Sequence, residues 1–256
     1  MIDYPLGSER LETHFQHLLK NLSYSSQDGR QQLLEVLLLI VDKTPQAKLQ
    51  QWQDLIFVTL FLRVVNESYH KCREVVSKIL KTLVMKSTKK YTDALWQMQT
   101  PQGSDSLKAK QMLNAKMQVL ALIAECGKLG KRDGQRTVEL VQEVLNQAAE
   151  KVVRSAKARK ELREDESDSE DIMDENHAKF LRGIGLESSD ESEEEHSQEE
   201  AVPDTQETAY FAIKCLHDAL SGPDQLSVPT QLQQDLVLMV WKSANYWVRL
   251  AALRVV

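Results

Sequence analysis

The residues best suited to chemistry in this 256-residue sequence fall into a few groups, and most lack what their chemistry requires. His14 and His17 stand three apart, so a helix would place both imidazoles on one face, but nothing around them completes a metal-ligand set. Cys215 and His217 alternate and would point to different sides of a helix, which is wrong for a nucleophile and its base. Gly127-Lys128-Leu129-Gly130-Lys131 has the composition of a phosphate loop without its spacing or a preceding strand. No catalytic, cofactor or metal site is therefore expected, and no small-molecule substrate. The chain reads as a binding protein and not as an enzyme.

Charge offers more. Lys78, Lys81, Lys86, Lys89 and Lys90 gather around one helix end, and Lys151, Arg154, Lys157, Arg159, Lys160 and Arg163 crowd another. Such clusters suit helix C-termini or the phosphates of RNA; of the second cluster, Lys151, Arg154, Lys157, Arg159 and Lys160 are the candidate RNA contacts. From Glu164 to Glu200 the balance reverses: 16 Asp and Glu stand against two basic residues, giving −14, while the remainder carries +8. Ser167, Ser188 and Ser192 each precede an acidic residue by three positions, the pattern acid-directed kinases prefer, and phosphate there would deepen the charge. With almost no apolar content, a strip over 164–206 cannot offset its conformational entropy and is expected to be disordered. Phe180 to Leu186 is an apolar island in it, either a docking motif or a gatekeeping patch. The tryptophans Trp52, Trp96, Trp241 and Trp247 lie in helical context and are expected to pack rather than stack on bases.

The elements that would carry these residues are helices. Cys72, Val75, Val76, Ile79, Leu80, Leu83 and Val84 repeat with helical period, as do Val141, Val144, Leu145, Ala148, Ala149 and Val152. Leu33–Val41 and Leu55–Val65 are apolar nearly all round, which implies helices covered on several sides. Few Gly and Pro break the chain; breaks are expected at Ser25–Gly29, Lys43–Pro45, Asn66–Ser68 and Thr100–Ser106. One helix is expected from Ala47 to Val65 and its antiparallel partner from Ser68 to Met85. Helix pairs returning about every 40 residues give an all-α, HEAT- or armadillo-like solenoid, with repeats over 1–163 and again over 207–256. Three distant cysteines imply a reducing compartment, the N-terminus has no signal-peptide pattern, and no stretch is long enough to span a membrane.

HEAT repeats open their second helix with a polar turn, an apolar residue, an Arg and small apolar residues. Asn66 to Val76, with Cys72 and Arg73, has that form, and so does Ser243 to Ala252, with Val248 and Arg249. Arg30 lies 43 positions before Arg73. The stretch Leu55 to Ser68 with Lys71-Cys72-Arg73-Glu74, and Trp247-Val248-Arg249-Leu250-Ala251-Ala252-Leu253-Arg254, resemble the C-terminal region of the giant HEAT-repeat component twenty of the small-subunit processome, the down-regulated-in-metastasis family. The resemblance implies a non-catalytic nucleolar scaffold in 18S ribosomal RNA maturation that contacts pre-ribosomal RNA and other processome proteins. Family members are several times longer, so the last repeat, stopping at Val256, is expected to be incomplete and the chain a fragment. A HEAT adaptor in nuclear transport, or a scaffold for a phosphatase or kinase, would share the fold.

Overall fold

The computed structural model describes residues 8–87, 91–98, 107–165, 205–222 and 226–256; side chains are described for these except at 8–12, 155–156, 158–165 and 205. Among the described residues every regular element is helical, as expected. In order the α-helices are α1 (Ser8–Lys20), α2 (Gln27–Lys43), α3 (Gln46–Leu49), α4 (Gln53–Phe61), α5 (Arg63–Asn66), α6 (His70–Lys86), α7 (Tyr91–Gln97), α8 (Leu107–Glu125), α9 (Lys131–Asp165), α10 (Thr205–Leu220), α11 (Thr230–Lys242) and α12 (Tyr246–Leu253), with a 3-10 turn, Asn21–Ser23, after α1. Two compact units divide the chain: Met1–Ala149 with Ala201–Val256, and Glu150–Glu200. The acidic strip between positions 166 and 204, with Ser167, Ser188, Ser192 and the Phe180–Leu186 island, lies outside the described residues, as does the expected break at Thr100–Ser106.

Local sequence accounts for several helix ends in the first unit. Ser26 caps α2 by accepting from the Gly29 N–H at 3.4 Å, so Gly29 lies inside the helix and not in the expected break. Asp28 in the first turn and Lys43 in the last match the helix dipole. Thr44 and Pro45 then stop α2 and open α3, because Pro cannot donate to the preceding turn but fits a helix start.

The single helix expected over Ala47–Val65 is instead three pieces, α3, α4 and α5. At the joints the N–H groups reach three residues back rather than four: Trp52 to the Leu49 carbonyl at 3.0 Å and Val65 to that of Leu62 at 3.2 Å. That is the tighter 3-10 pattern, and at the first joint it sets Trp52 in a stack on Phe15 of α1, with centroids 5.2 Å apart. Helix α6 runs from His70 to Lys86, a residue or two later than expected, and every member of its predicted stripe is buried. Full burial of each Val, Leu or Ile there stabilises the fold by about 1.5–3 kcal/mol. The Val141–Val152 stripe of α9 is buried as well.

Helices α2 and α6 lie side by side and run parallel. Their N-terminal ends meet through Arg30 and Glu67. At their other ends Lys86 Nζ donates to the carbonyls of Val41 at 3.0 Å, Thr44 at 3.4 Å and Asp42, capping the orphan acceptors of α2. The full covering expected for Leu33–Val41 and Leu55–Val65 is corrected by the structure. Val36, Leu39, Leu55, Val58 and Leu62 are exposed, because α2 and α4 each press one face inward and leave the other bare.

The covered helix is α8. Residues Asn114 to Ala124 are buried without a break, and α4, α5, α6, α7 and α10 all touch it. Three of its buried polar side chains find partners: Asn114 Nδ2 donates to Glu207 Oε2 and Gln118 Nε2 to Asn114 Oδ1, each at 3.3 Å, and Lys116 Nζ to the Met98 carbonyl at 3.2 Å.

Candidate functional site

Among the described residues of the first unit, the Glu67 carboxylate, in the turn between α5 and α6, gathers several hydrogen bonds. Arg30 donates through Nη2 to Oε1 at 2.8 Å and through Nε to both oxygens, and Arg63 Nη1 donates to Oε2 at 2.9 Å. Arg30 Nη1 also reaches the carbonyls of Tyr24 at 3.0 Å and Ser25 at 2.8 Å, while Arg63 Nη2 reaches Ser23 Oγ at 3.0 Å. One buried carboxylate thus ties the turn before α2 to the turn before α6. Burial lowers the Arg63 guanidinium from its ordinary value, and the Glu67 charge partly offsets that.

The repeat-signature residues fall around this lock. Cys72 is buried, with Sγ 3.8 Å from the Gln27 carbonyl. Arg73 Nη1 donates to the Glu67 carbonyl at 3.1 Å, binding its own turn. The bridge to the neighbouring turn is made by Arg30. Val248 is buried and Arg249 exposed. Arg30, Arg73 and Arg249 each stand four residues past an N-cap, Ser26, Tyr69 and Asn245 respectively. Arg30 and Arg73 each reach the carbonyl six residues back, to Tyr24 and Glu67.

The basic clusters divide. Lys86 caps α2. Lys81 of α6 and Lys214 of α10 both donate to Glu125 at the end of α8. Lys78 is exposed, and Lys89 and Lys90 lie outside the described residues. In the second unit Lys151, Arg154 and Lys157 are exposed on α9, with Arg154 Nη2 donating to Glu150 at 3.1 Å. Arg159 and Lys160 belong to the same helix, their side chains outside the description. Three-residue steps at 100° per residue make Lys151, Arg154 and Lys157 a row that drifts around the helix.

Nothing among the described residues assembles a reaction centre. No group of three or more His, Cys, Asp or Glu could hold a metal ion there. Burial raises the thiols of Cys72, Cys126 and Cys215 above their ordinary value, for Cys215 most strongly, and a nucleophilic Cys needs the reverse. His217 Nδ1 lies 3.1 Å from Asp218 Oδ1. No helix among the described residues is long and apolar enough to cross a membrane.

No family model matches the chain. U3 small nucleolar RNA-associated protein 20 of Schizosaccharomyces pombe is 28% identical over 125 residues, 49% of this chain and 5% of that protein. The Saccharomyces cerevisiae protein of the same name is 30% identical over 86 residues, 34% of this chain and 3% of that protein. This chain is a distant homologue of U3 small nucleolar RNA-associated protein 20. The match spans only a small part of the length of these relatives, whose shared name records an association with a small nucleolar RNA.

Several side chains that matter in the fold carry no signal in the sequence pattern. Glu67 was legible only as a turn residue, since its partner Arg30 is 37 residues away. The Glu125 clasp joins residues 44 and 89 positions apart. Two tryptophans also depart from the packing expected of them: Trp52 stacks on Phe15 and Trp96 lies under Arg136 at 4.5 Å, whereas Trp241 and Trp247 are exposed. A groove of about 180 Å³ is lined by Tyr210, Lys214, His217, Asp218, Trp247, Leu250, Ala251 and Arg254.

The Glu125 clasp has a pH consequence. Burial alone would raise this carboxyl, but hydrogen bonds from Lys81 and Lys214 outweigh it and hold the pKa below the ordinary 4.5. A depressed acid contributes stability that is complete above the ordinary value and is lost as pH falls through the folded one. Melting temperatures of the wild type and Glu125→Gln should therefore differ at neutral pH and draw together as pH falls below the ordinary 4.5 and through the depressed value. A constant difference across that range would show the lysines are not paired with the charge.

Proposed function

We propose that this chain is a segment of a non-catalytic scaffold in small ribosomal subunit biogenesis, working in the small-subunit processome of the nucleolus during 18S ribosomal RNA maturation. The distant homology to U3 small nucleolar RNA-associated protein 20 carries the reading. The parallel α2 and α6, locked turn to turn by Arg30, support a HEAT-like solenoid, an architecture that offers extended surfaces and no catalytic centre. Pre-ribosomal RNA and processome proteins are the partners. In this reading Lys151, Arg154, Lys157, Arg159 and Lys160 meet RNA phosphates, giving sequence-tolerant affinity, while the acidic strip faces away from RNA or toward a basic protein. The exposed apolar row Leu55, Val58 and Leu62 suits a protein neighbour.

Purification of the full protein from nucleoli should recover pre-ribosomal and small nucleolar RNA in an RNase-sensitive association. Replacing the five basic residues by glutamine keeps helix propensity and should weaken RNA binding. For every phosphate left without its cation, the log–log salt slope should flatten by about 0.7–0.9. Unchanged affinity and slope would remove α9 from the RNA surface; recovery of transport cargo without RNA would favour an adaptor instead.

A further inference from the structure

The exposed large side chains of α12, Leu253 on one hand and Tyr246 and Trp247 on the other, have two different origins, and comparison with α2 and α6 separates them. Leu253 stands eight residues past its N-cap and is 59% exposed; the same position in α2 is Leu34, fully buried. Leu253 thus has the place of a helix-packing residue. Tyr246 and Trp247 occupy the first two positions after the cap. The equivalents are Gln27-Asp28 in α2 and His70-Lys71 in α6, all polar and all exposed. Gln27 and Asp28 stay exposed although α6 packs along α2, so this position is left open to solvent even where a neighbouring helix is present. Two large rings, 59% and 62% exposed, sit where the other turns carry solvated polar side chains. Packing does not explain them.

Their surroundings indicate what they meet. Tyr246 and Trp247 lie edge to face, with centroids 5.5 Å apart, and Asn245 holds the turn by accepting from the N–H groups of Trp247 and Val248. Trp247 borders the groove between α10 and α12, whose other members include Tyr210, Lys214 and Arg254. At about 180 Å³ this space is smaller than the roughly 300 Å³ at which small-molecule pockets begin, and suits one flat ring. From Leu226 to Val256 the side-chain cations Lys242, Arg249 and Arg254 are all exposed, while the lone acid, Asp235, is buried. Arg249 and Arg254 have no ion-pair partner among the described residues. The groove's own acid, Asp218, is turned inward beside His217.

We infer that the Tyr246–Trp247 corner with Arg249 and Arg254 is a stacking platform for single-stranded RNA, one base lying against Trp247 and neighbouring phosphates meeting the arginines. A single strand presents a ring and a charge at every nucleotide, the two features paired here. An acidic peptide would satisfy the arginines but leave the rings without a partner of their own shape. A duplex hides its bases. This site deepens the RNA-scaffold reading and rests on it, but it is separate from the α9 residues proposed above.

The test uses the full chain and a fluorescein-labelled oligouridylate of about ten nucleotides, followed by anisotropy, with a duplex of equal length as comparison. Trp247→Ala should weaken single-strand binding about tenfold, and Trp247→Phe should retain most of it, at unchanged melting temperature. Arg254→Gln should lower the salt slope by about 0.7. Ultraviolet crosslinking should attach the RNA to the peptide holding Tyr246 and Trp247. If Trp247→Ala binds as wild type while the α9 glutamine variant is weakened, the platform is wrong and the RNA-scaffold reading stands. A wild type that binds no RNA overturns both. Reduced affinity of Trp247→Ala for a synthetic Ser188–Glu195 peptide, with RNA affinity intact, would make the corner a protein site and end the proposal.

Discussion

Glu67→Ala should lower folding stability by about 3–5 kcal/mol, the range for removing one partner of a buried ionic group. The loss arises less from the missing attraction than from what remains. Arg30 and Arg63 would face each other with no anion between them, and the Arg30 side chain is only 9% exposed. The Tyr69 N–H loses its acceptor as well. Urea unfolding should show a lower midpoint with an unchanged m value. Arg63→Ala should cost less, because Arg63 is nearer the surface and Glu67 keeps its bonds to Arg30. Replacing Arg30, Glu67 and Arg63 together by Met, Leu and Met removes the stranded charge and should recover part of the loss. Full recovery is not expected, because the Tyr24 and Ser25 carbonyls would lose the donor that Arg30 supplies. A Glu67→Ala midpoint equal to the wild type would mean the two turns are not joined through this carboxylate.

Leu120→Ala should cost about 3 kcal/mol and Val58→Ala less than about 0.5, although both residues lie in strongly apolar stretches. Leu120 is fully buried at the middle of α8, against which α4, α5, α6, α7 and α10 pack, so truncation leaves a cavity its neighbours cannot close. Val58 is 61% exposed on α4; shortening it bares little that water does not already reach. Thermal unfolding of the two variants in parallel would decide the ranking. Equal losses would place α4, and not α8, at the centre of the core.

The helices and much of their buried faces were determined by the sequence itself, because helical period is a local property. Cys72 to Val84 and Val141 to Val152 recur at three- and four-residue steps, and steric and hydrogen-bonding rules acting within a turn or two make that spacing a single stripe. The stop at Thr44–Pro45 is local in the same sense, since it follows from the proline ring and its missing N–H. The 43-residue spacing of Arg30 and Arg73 could also be read, but not the cap at Ser26 that places Arg30 inside α2, nor its partner. Glu67 was assigned to a turn because turn chemistry is all that its neighbours in sequence reveal; only folding brings the Arg30 guanidinium across 37 residues to it. An apolar run likewise records what a segment could bury and not what arrives to cover it. Leu55–Val65, read as covered, keeps Leu55, Val58 and Leu62 bare, and the more polar α8 is enclosed because Asn114, Lys116 and Gln118 find hydrogen-bond partners inside the fold. The exposure of Tyr246 and Trp247 is decided at the same level. Composition makes them core candidates, but the cap geometry of α12 sets them in the two positions that α2 and α6 leave to solvent.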